Sequence, residues 1–295
     1  MVLPKIAVVI PAYKAQDQIL RVLEDIPNFV DKILVVDDAC PSQTGTLVAS
    51  QTKDPRVEVI FNKTNLGVGG AVLVGYQKAL DENHEIVIKV DADGQMDLQQ
   101  MSALIKPILA GEADYTKGNR FDSLEDLEQM PRARIIGNAG LSLMSKLSTG
   151  YWDINDPTNG YTAIHRSSLS RIALQKVRKT FFFESDMLFR LSLIRAVVVD
   201  VPMRAIYGSE TSNLRIGRAI WEFPRRHGVN FFKRISDLYR LTRASNQHSF
   251  DGFWNYIWYF HLDNCLKSGS CCNEWSGLVG NIANNFGLSV ISGIP

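Results

Sequence analysis

The chain has 295 residues, of which 45% are hydrophobic and 21% are charged, and it can bury one large core or two modest ones. Its formal net charge of +1 argues against a nucleic-acid partner, which usually needs a strongly basic surface. The apolar run at residues 6–10 lacks the flanks of a signal peptide and is too short to span a bilayer, so we expect a cytoplasmic domain. The four cysteines have no zinc-like spacing and are interpreted as free thiols.

Short apolar runs alternate with helical patterns over the first 120 residues. The apolar runs predict strands at residues 6–10, 32–36, 57–61, 85–90 and 115–117. The patterns between them predict helices at residues 19–26, 44–51, 68–80 and 98–109. This alternation favours an α/β fold with a mostly parallel, Rossmann-like central sheet that is covered by helices on both faces. We therefore interpret residues 1–120 as a nucleotide-binding half.

The pattern becomes more mixed after residue 120. A long helix is predicted at residues 131–147, followed by a polar loop at residues 150–160. A strand at residues 161–164, a helix at residues 184–194 and a strand at residues 197–201 follow. We expect this second half, residues 121–214, to pack on the same sheet.

The chain continues with a C-terminal helical extension at residues 215–245. Residues 215–243 include eight Arg or Lys residues and two acidic residues. Aromatic residues lie among them, namely Trp221, Phe223, Phe231, Phe232 and Tyr239. Such a segment suits an anionic membrane surface, where each basic side chain contributes roughly 1 kcal/mol, and it equally suits a solvated amphipathic helix. Residues 246–295 are rich in Gly, Ser and Asn without a membrane-spanning stretch, so a loop or disordered tail is expected.

Asp91 and Asp93 follow the apolar run at residues 85–90 directly. In an extended chain, side chains two residues apart point the same way, so both carboxylates can face one ligand at the carboxyl edge of the sheet. Their mutual repulsion would be relieved by a hard divalent cation such as Mg²⁺. An acidic pair at this position is also common in turns and helix caps, and the pair alone does not decide between the two readings.

Other polar groups follow the remaining predicted strands. Asp38 ends the second strand, where it can meet a nucleoside or cap a helix, and a glycine-rich turn at residues 65–70 precedes a helix. Lys117 and Arg120 offer two cations after the fifth strand, ahead of the polar turn at residues 156–161. Each group has a structural alternative, and their joint order favours one shared site.

Six motifs in this order resemble those of family 2 glycosyltransferases, and most closely the polyprenyl-phosphate (dolichyl-phosphate) glycosyltransferases. The motifs are Val-Ile-Pro-Ala-Tyr at residues 9–13, Val-Asp-Asp at 36–38, Asn-Leu-Gly-Val-Gly-Gly at 65–70, Asp-Ala-Asp-Gly-Gln at 91–95, Gly-Asn-Arg-Phe at 118–121 and Asp-Pro-Thr-Asn-Gly-Tyr at 156–161. The resemblance covers residues 5–235. It implies a GT-A fold over residues 1–214, with a nucleotide-sugar half at 1–120 and an acceptor half at 121–214.

The resemblance also implies roles for individual residues and a Mg²⁺ or Mn²⁺ ion. The implied nucleotide-sugar-binding residues are Pro11, Ala12, Tyr13, Asp38, Asn65, Gly67, Gly69, Gly70, Asp91 and Ala92. The implied metal ligands are Asp91, Asp93 and Gln95, and the implied catalytic residues are Asp93, Arg120 and Asp186. The implied acceptor or phosphate contacts are Lys117, Arg120, Thr158, Asn159 and Arg204. One departure is Ala39-Cys40, where many members of the family have Gly-Ser.

The chemistry of the acceptor separates two enzymatic hypotheses. A hydroxyl acceptor needs a general base, for which Asp186 or Glu184 is a candidate, whereas a phosphate monoester is already mostly dianionic at pH 7 and needs cations. The cations at Lys117, Arg120 and Arg204 favour a polyprenyl or dolichyl phosphate. We therefore expect an inverting transferase that uses a UDP- or GDP-linked sugar and is peripherally associated with the cytoplasmic face of a membrane. The alternatives are transfer to a saccharide hydroxyl in polysaccharide synthesis and nucleotide-sugar binding without catalysis.

Overall fold

The computed structural model describes residues 4–121, 132–203 and 216–245. Within them, seven strands form a single sheet with the order β3-β2-β1-β4-β6-β5-β7. The strands are β1 Ile6–Ala12, β2 Lys32–Asp37, β3 Val57–Phe61, β4 Ile86–Lys89, β5 Tyr115–Asn119, β6 Thr162–His165 and β7 Val198–Pro202. All seven strands that the apolar runs predict are present, so these runs located the strands correctly.

Eight α-helices connect these strands in the described part of the chain. They are α1 Gln16–Glu24, α2 Thr44–Gln51, α3 Val68–Asp81, α4 Met101–Leu109, α5 Arg132–Thr149, α6 Arg166–Arg171, α7 Phe183–Leu193 and α8 Ile216–Ser245. Short 3₁₀ turns lie at Leu98–Gln100 and Leu174–Lys176. The helix predicted at residues 98–109 begins as the first of these turns, which the Asp97 carboxylate caps by accepting a hydrogen bond from Gln99 N at 3.0 Å.

The sheet is mostly parallel, as predicted, with one reversed strand. β1 pairs in parallel with β2 and β4, and β5 pairs in parallel with β7. β6 runs antiparallel between β4 and β5, and Thr162 on β6 is the register partner of both Lys89 on β4 and Lys117 on β5. The two lysines therefore lie side by side across three strands, an arrangement that the sequence pattern did not predict.

Helices cover the sheet on both faces. On one face, Val8 and Ile10 of β1 pack in a buried layer with residues of α1 and α4. On the other face, Val9 of β1 and Leu34 of β2 pack with residues of α3 and α7. Because successive residues of a strand point to opposite faces, the continuous apolar run of β1 fills both layers. This arrangement confirms the predicted α/β fold.

The C-terminal extension is helical, since α8 covers Ile216–Ser245. The described residues up to Ile235 belong to one compact unit, and residues 236–245 belong to a second unit. None of the described helices is long and apolar enough to cross a membrane. The predicted tail at residues 246–295, the cysteines within it and Arg204 lie outside the described residues, so the expectations for them stay predictions.

Candidate active site

The carboxyl ends of β2, β1 and β4 lie side by side at one edge of the sheet. Asp38 N donates to Ala12 O at 3.1 Å, which joins the ends of β1 and β2. Ala12 is buried and Pro11 is partly exposed, whereas Tyr13 is 43% exposed and carries the Lys14 ammonium 5.6 Å from its ring centroid. Tyr13 is therefore a partly exposed aromatic residue at the edge where ligands bind in parallel α/β sheets.

Asp38 is buried and makes its hydrogen bonds within the protein. One carboxylate oxygen accepts from Asn62 Nδ2 and Leu66 N, the other accepts from Gly67 N, and all three distances are 2.8 Å. The preceding Asp37 accepts from the backbone N–H groups of residues 40 and 45 in the same manner. In this geometry the Asp38 carboxylate holds the glycine-rich turn. The sequence predicted that Asp38 contacts a nucleoside.

The glycines of that turn are required by close packing against the protein. Gly67 has a φ of +83°, and a Cβ there would lie 2.6 Å from Lys179 O. A Cβ at Gly69 would lie 2.7 Å from Arg178 O, and a Cβ at Gly70 would meet the side chain of Leu66 at 2.5 Å. The turn thus fits against the segment that leads into α7, which accounts for Gly67 and Gly69, whereas Gly70 is required by packing within the turn itself.

The Cys40 side chain makes several hydrogen bonds with its neighbours. Its buried thiol accepts from Lys14 N at 3.0 Å and lies 3.0 Å from Ser42 Oγ and 3.2 Å from Thr44 Oγ1. Burial opposes the thiolate, but these hydrogen bonds prevail and lower the pKa of Cys40 to about 7. The cysteine of the Ala39-Cys40 pair is therefore held by hydrogen bonds within the protein.

Asp91 is held by a buried lysine that the sequence analysis did not select. Lys89 Nζ lies 2.6 Å from Asp91 Oδ1, 3.2 Å from Glu184 Oε1 and 3.2 Å from Gly160 O. Lys89 is 1% exposed, whereas the Asp91 side chain is 31% exposed and faces the open edge. Burial disfavours the ammonium, but the two carboxylates outweigh it and raise the pKa of Lys89. The signal in the sequence was a lysine two residues before Asp91 in a buried strand.

Asp93 and Gln95 lie in the turn that follows Asp91. Asp93 Oδ1 accepts from Gln95 N at 3.0 Å, and Gly94 between them has a φ of +71°. Gln95 is exposed, and Ala92 is buried behind the turn. The three predicted ligands therefore lie within one short segment and offer only oxygen atoms of carboxylates and an amide, which is the donor set that Mg²⁺ and Mn²⁺ prefer. In the described ranges, no group of three or more His, Cys, Asp or Glu could hold a metal ion.

Arg120 is fixed by the loop at residues 156–161. Its Nε and Nη2 donate to the two carboxylate oxygens of Asp156 at 2.7 and 3.1 Å, and Asp156 is fully buried. Thr158 Oγ1 donates to the same carboxylate at 3.3 Å. Bidentate Arg–carboxylate pairs are strong and directional. The Arg120 side chain stays 25% exposed, so it is oriented at the edge of the site.

Lys117 and Asn159 support this loop from beneath. Lys117 is fully buried and its ammonium donates to Asn159 O, while Asn159 Nδ2 donates to Gly118 O at 2.8 Å. Burial lowers the pKa of Lys117 to about 8, although Glu184 and Asp156 act in the opposite direction. A direct contact from Lys117 or Asn159 to an acceptor phosphate, as predicted, is not supported by this geometry, because both side chains are enclosed by protein.

Glu184 and Asp186, the two candidate bases, differ in their surroundings. Asp186 is buried and accepts from Arg178 N at 3.0 Å, Arg190 Nε at 3.1 Å and Asn230 Nδ2 at 3.4 Å. The geometry therefore does not support the predicted catalytic role of Asp186, since its carboxylate is engaged in fixing α7 and α8. Glu184 is the acid of this helix that reaches Lys89 beneath the site.

Asp200 on β7 is a further titratable group that the sequence analysis did not single out. Its register partner is Lys117, and its Oδ2 accepts from Asn155 N at 2.7 Å. Burial raises the pKa of Asp200 to about 6. Asp200 itself is only partly buried, and it lies beside Lys117, which is fully buried.

Comparison with known proteins places this site in a family. A model described as "Glycosyl transferase family 2" matches residues 7–173. The UDP-N-acetylglucosamine–dolichyl-phosphate N-acetylglucosaminyltransferase of Methanococcus voltae is 28% identical over 250 residues, covering 80% of this chain and 94% of that protein. The undecaprenyl-phosphate mannosyltransferase of Micrococcus luteus is 28% identical over 229 residues, covering 75% of this chain and 93% of that protein.

A solved structure supports the fold. The glucosyl-3-phosphoglycerate synthase from Mycobacterium tuberculosis, in complex with Mn²⁺, UDP and glucosyl-3-phosphoglycerate, has a TM-score of 0.56 at 18% identity. The alignment covers 78% of this chain and 80% of that one. The GT-A fold expected from the motifs is thereby confirmed. Because the family model matches more than half of the chain and the six motifs meet around one sheet, the chain belongs to glycosyl transferase family 2 and is a glycosyltransferase.

Proposed function

We propose that this enzyme transfers a hexosyl group from a nucleotide-diphosphate sugar to a polyprenyl phosphate, with inversion at the anomeric carbon. The observation that carries the proposal is the meeting of Asp91, on the donor side, with the loop at residues 156–161 that fixes Arg120. A Cβ at Gly160 would overlap Asp91 Oδ2 and Lys89 Nζ, so this loop packs directly onto the carboxylate. The geometry supports a single site in which one loop contacts both the acidic donor-side group and the cationic acceptor-side group.

Asp91, Asp93 and Gln95 would hold a Mg²⁺ or Mn²⁺ ion on the diphosphate of the donor. Bound there, the ion would supply positive charge for the nucleotide diphosphate as the sugar leaves. Mg²⁺ usually takes one or two protein carboxylates and completes its shell with phosphate oxygens and water, which agrees with the small number of acids in this turn. The mycobacterial synthase contains Mn²⁺ and UDP, and this also supports a divalent cation.

The nucleoside would lie along the edge formed by β1 and β2. Tyr13 offers an exposed ring there, and its π face suits stacking against a base. Pro11 and Ala12 form the adjoining backbone, and Asp38 holds the glycine-rich turn that closes this side. The name of the Methanococcus relative supports a UDP-linked donor, and that of the Micrococcus relative supports a mannosyl group.

The acceptor is proposed to be a phosphate because the nearby acids are already paired. Asp156 is bound by Arg120, Glu184 by Lys89 and Asp186 by Arg190. A carboxylate whose oxygens already bond a cation is poorly placed to take a proton from an acceptor hydroxyl, whereas a dianionic phosphate needs no base. The Arg120 guanidinium would orient the acceptor phosphate, and Lys117 would hold the loop that positions Arg120. The Methanococcus and Micrococcus relatives, by their names, both act on polyprenyl-type phosphates.

A lipid acceptor requires contact with a membrane, for which we propose the exposed side of α8. Trp221 is 82% exposed, Phe232 is 72% exposed and Val229 is 46% exposed. They recur at helical spacing, and the exposed basic residues Arg225 and Lys233 lie among them. Apolar side chains flanked by cations fit the interface of an anionic bilayer, which supports peripheral association with the cytoplasmic face.

The test is a transfer assay with defined donors and acceptors. UDP-N-acetylglucosamine, UDP-glucose and GDP-mannose would each be incubated with Mg²⁺ or Mn²⁺ and with polyprenyl phosphate in anionic vesicles. We expect one donor to give a glycosylated lipid phosphate, and no product from polyprenol, which lacks the phosphate. Transfer to an oligosaccharide in place of the lipid would reject the proposed acceptor. Donor binding by calorimetry without turnover on polyprenyl phosphate would reject catalysis on that lipid.

A further inference from the structure

Lys89 is a buried cation for which neither the family motifs nor the proposed chemistry accounts. It ends β4, two residues before Asp91, and its ammonium is enclosed by Asp91 Oδ1, Glu184 Oε1 and Gly160 O. These three acceptors come from the donor-side turn, from α7 and from the acceptor-side loop. One ammonium thus joins the three segments that surround the candidate cation site.

The enclosure is tight on every side that the structure describes. Gly160 can approach only because it lacks a Cβ, which would overlap both Lys89 Nζ and Asp91 Oδ2. Glu184 is itself largely buried, with 13% of its side chain exposed, and it is anchored in the first turn of α7. The Lys89 ammonium therefore has little freedom to move, and a carboxylate oxygen bonded to it at 2.6 Å is fixed in orientation.

Fold stability alone is a weak reason for such a cluster. A buried ion pair generally adds little net stability compared with apolar side chains of the same volume, because both ions lose their hydration. The arrangement has the form of the outer hydrogen bonds that orient metal ligands, in which a partner fixes one oxygen of a ligating carboxylate. Asp91 has such a partner in Lys89, and Lys89 has its own anchor in Glu184.

We propose that Lys89 is a positioning residue that holds the Asp91 carboxylate in the orientation needed to meet the divalent cation of the donor diphosphate, with Glu184 as its anchor. This inference rests on the proposed function, because it assumes that Asp91 ligates the cation. Without the ammonium, Asp91 and Glu184 would repel each other and Asp91 would turn away from Gly160. Loss of comparable outer partners weakens metal binding by about 10–100-fold.

The experiment measures binding of Mn²⁺ itself, with the free ion followed by electron paramagnetic resonance. Mn²⁺ would be titrated into the full chain at saturating UDP, or at saturating GDP if UDP does not bind. We expect Lys89→Met to weaken Mn²⁺ binding by about 10–100-fold. Binding of the nucleotide without metal, measured by calorimetry, should change by less than about threefold because the nucleoside edge is untouched. Lys78→Met is the matched control, since Lys78 also bonds two acids but lies on the surface of α3.

A second variant keeps the test decisive if Lys89→Met does not fold. In Lys89→Met/Glu184→Gln the buried carboxylate that would repel Asp91 is also neutralised, and we expect the same selective loss of Mn²⁺ affinity. Wild-type Mn²⁺ affinity in a folded Lys89 variant, together with a large loss in Asp91→Asn, would overturn the role of Lys89 and leave the proposed metal site intact. Wild-type Mn²⁺ affinity in Asp91→Asn would overturn the metal assignment itself, and with it this inference.

Discussion

Residues 1–120 and 121–214, the proposed nucleotide and acceptor halves of the catalytic domain, hold their largely buried acids in different ways. In the nucleotide half, Asp37 and Asp38 accept hydrogen bonds mainly from backbone N–H groups of the segments that follow. In the acceptor half, Asp156, Glu184 and Asp186 are each paired with a cationic side chain. A backbone donor is present whatever residue carries it, whereas a cationic partner depends on one side chain. The acids of the nucleotide half are therefore held mainly by backbone hydrogen bonds, whereas the acids of the acceptor half are held by individual charged side chains.

This difference suits the partners that each half is proposed to meet. A nucleotide presents a rigid ring and a diphosphate, for which a preformed edge of backbone and glycine turns is adequate. A phosphate on a flexible lipid needs a cation held at a defined place, and the Arg120–Asp156 pair provides one. Lys89 lies between the two halves, because its ammonium bonds one acid of each half. Five predictions test the contrast, in order of expected effect.

The largest effect, on the transfer rate, is expected at the proposed metal site beside the donor diphosphate. Asp93→Ala should lower the transfer rate by roughly 10²–10³-fold, because it removes a proposed ligand of the cation that would stabilise the leaving charge. The measurement is the initial rate at saturating donor and Mn²⁺. Asp81→Ala is the control, since Asp81 is an exposed acid at the end of α3 that bonds Gln77, and its rate should stay within about twofold. Retention of most activity in Asp93→Ala would contradict the metal assignment.

The acceptor half should be sensitive to loss of a single charge. Arg120→Ala leaves the fully buried Asp156 carboxylate without its cation and should lower the free energy of unfolding by about 2–3 kcal/mol. Urea unfolding followed by circular dichroism measures the change. Lys78→Met breaks ion pairs on the surface and should leave the urea midpoint unchanged. An Arg120→Ala midpoint equal to that of the wild type would remove the contrast between the halves.

A pH dependence is expected where α8 packs on the acceptor half. His227 is buried between Ser148, whose Oγ lies 2.9 Å from Nδ1, and the ring of Phe182 at 5.0 Å, and burial lowers its pKa to about 4. The folded protein then binds fewer protons than the unfolded chain between the two pKa values, so stability falls as the pH decreases through that window. The contribution of His227 to stability should fall by about 2 kcal/mol between pH 7 and pH 5, while the raised pKa of Asp200 acts in the opposite direction over the same window. His227→Asn keeps a partner for Ser148 and should remove only the His227 contribution, so its free energy of unfolding should fall less between pH 7 and pH 5 than that of the wild type in urea unfolding. An identical pH dependence in the variant and the wild type would exclude His227 as a source.

A smaller effect is expected from changes to the exposed side of α8, which we propose binds the membrane. Phe232→Ser should weaken binding to anionic vesicles by roughly threefold to tenfold, because less apolar surface enters the bilayer interface. Flotation with vesicles of phosphatidylcholine and phosphatidylglycerol measures the change. Phe29→Ser, which alters another exposed aromatic residue away from α8, is the control. Equal losses in both variants would argue against a specific role for α8.

The smallest effect is expected in the nucleotide half. Asn62→Ala removes one of three hydrogen bonds to Asp38 and leaves the two backbone donors at residues 66 and 67 in place. The free energy of unfolding should fall by only about 1 kcal/mol, in contrast to Arg120→Ala. Urea unfolding of the two variants side by side gives the comparison. A loss for Asn62→Ala as large as that for Arg120→Ala would show that the backbone donors do not secure Asp38.

The positions of the strands and the edge at which the acids gather could be predicted, because both depend on local periodicity. The alternation of apolar runs and helical patterns located β1 to β7, and the spacing of Asp91 and Asp93 placed both after β4. The reversal of β6 could not be predicted in this way, since its residues have the same apolar character in either direction. The burial of Lys117 was missed for a similar reason. A lysine in a short strand does not reveal which layer will cover it.

By itself, the sequence determined the α/β architecture, the family and the position of the acids proposed to face the donor, because these follow from residue type and spacing along the chain. Only the tertiary structure decided which charges meet. It brought Glu184, and not Asp186, to Lys89, and it brought Asp156 to Arg120. These pairs join segments that are far apart in the chain, so their distances depend on how β6 and α7 pack on the sheet. No local pattern carries that information.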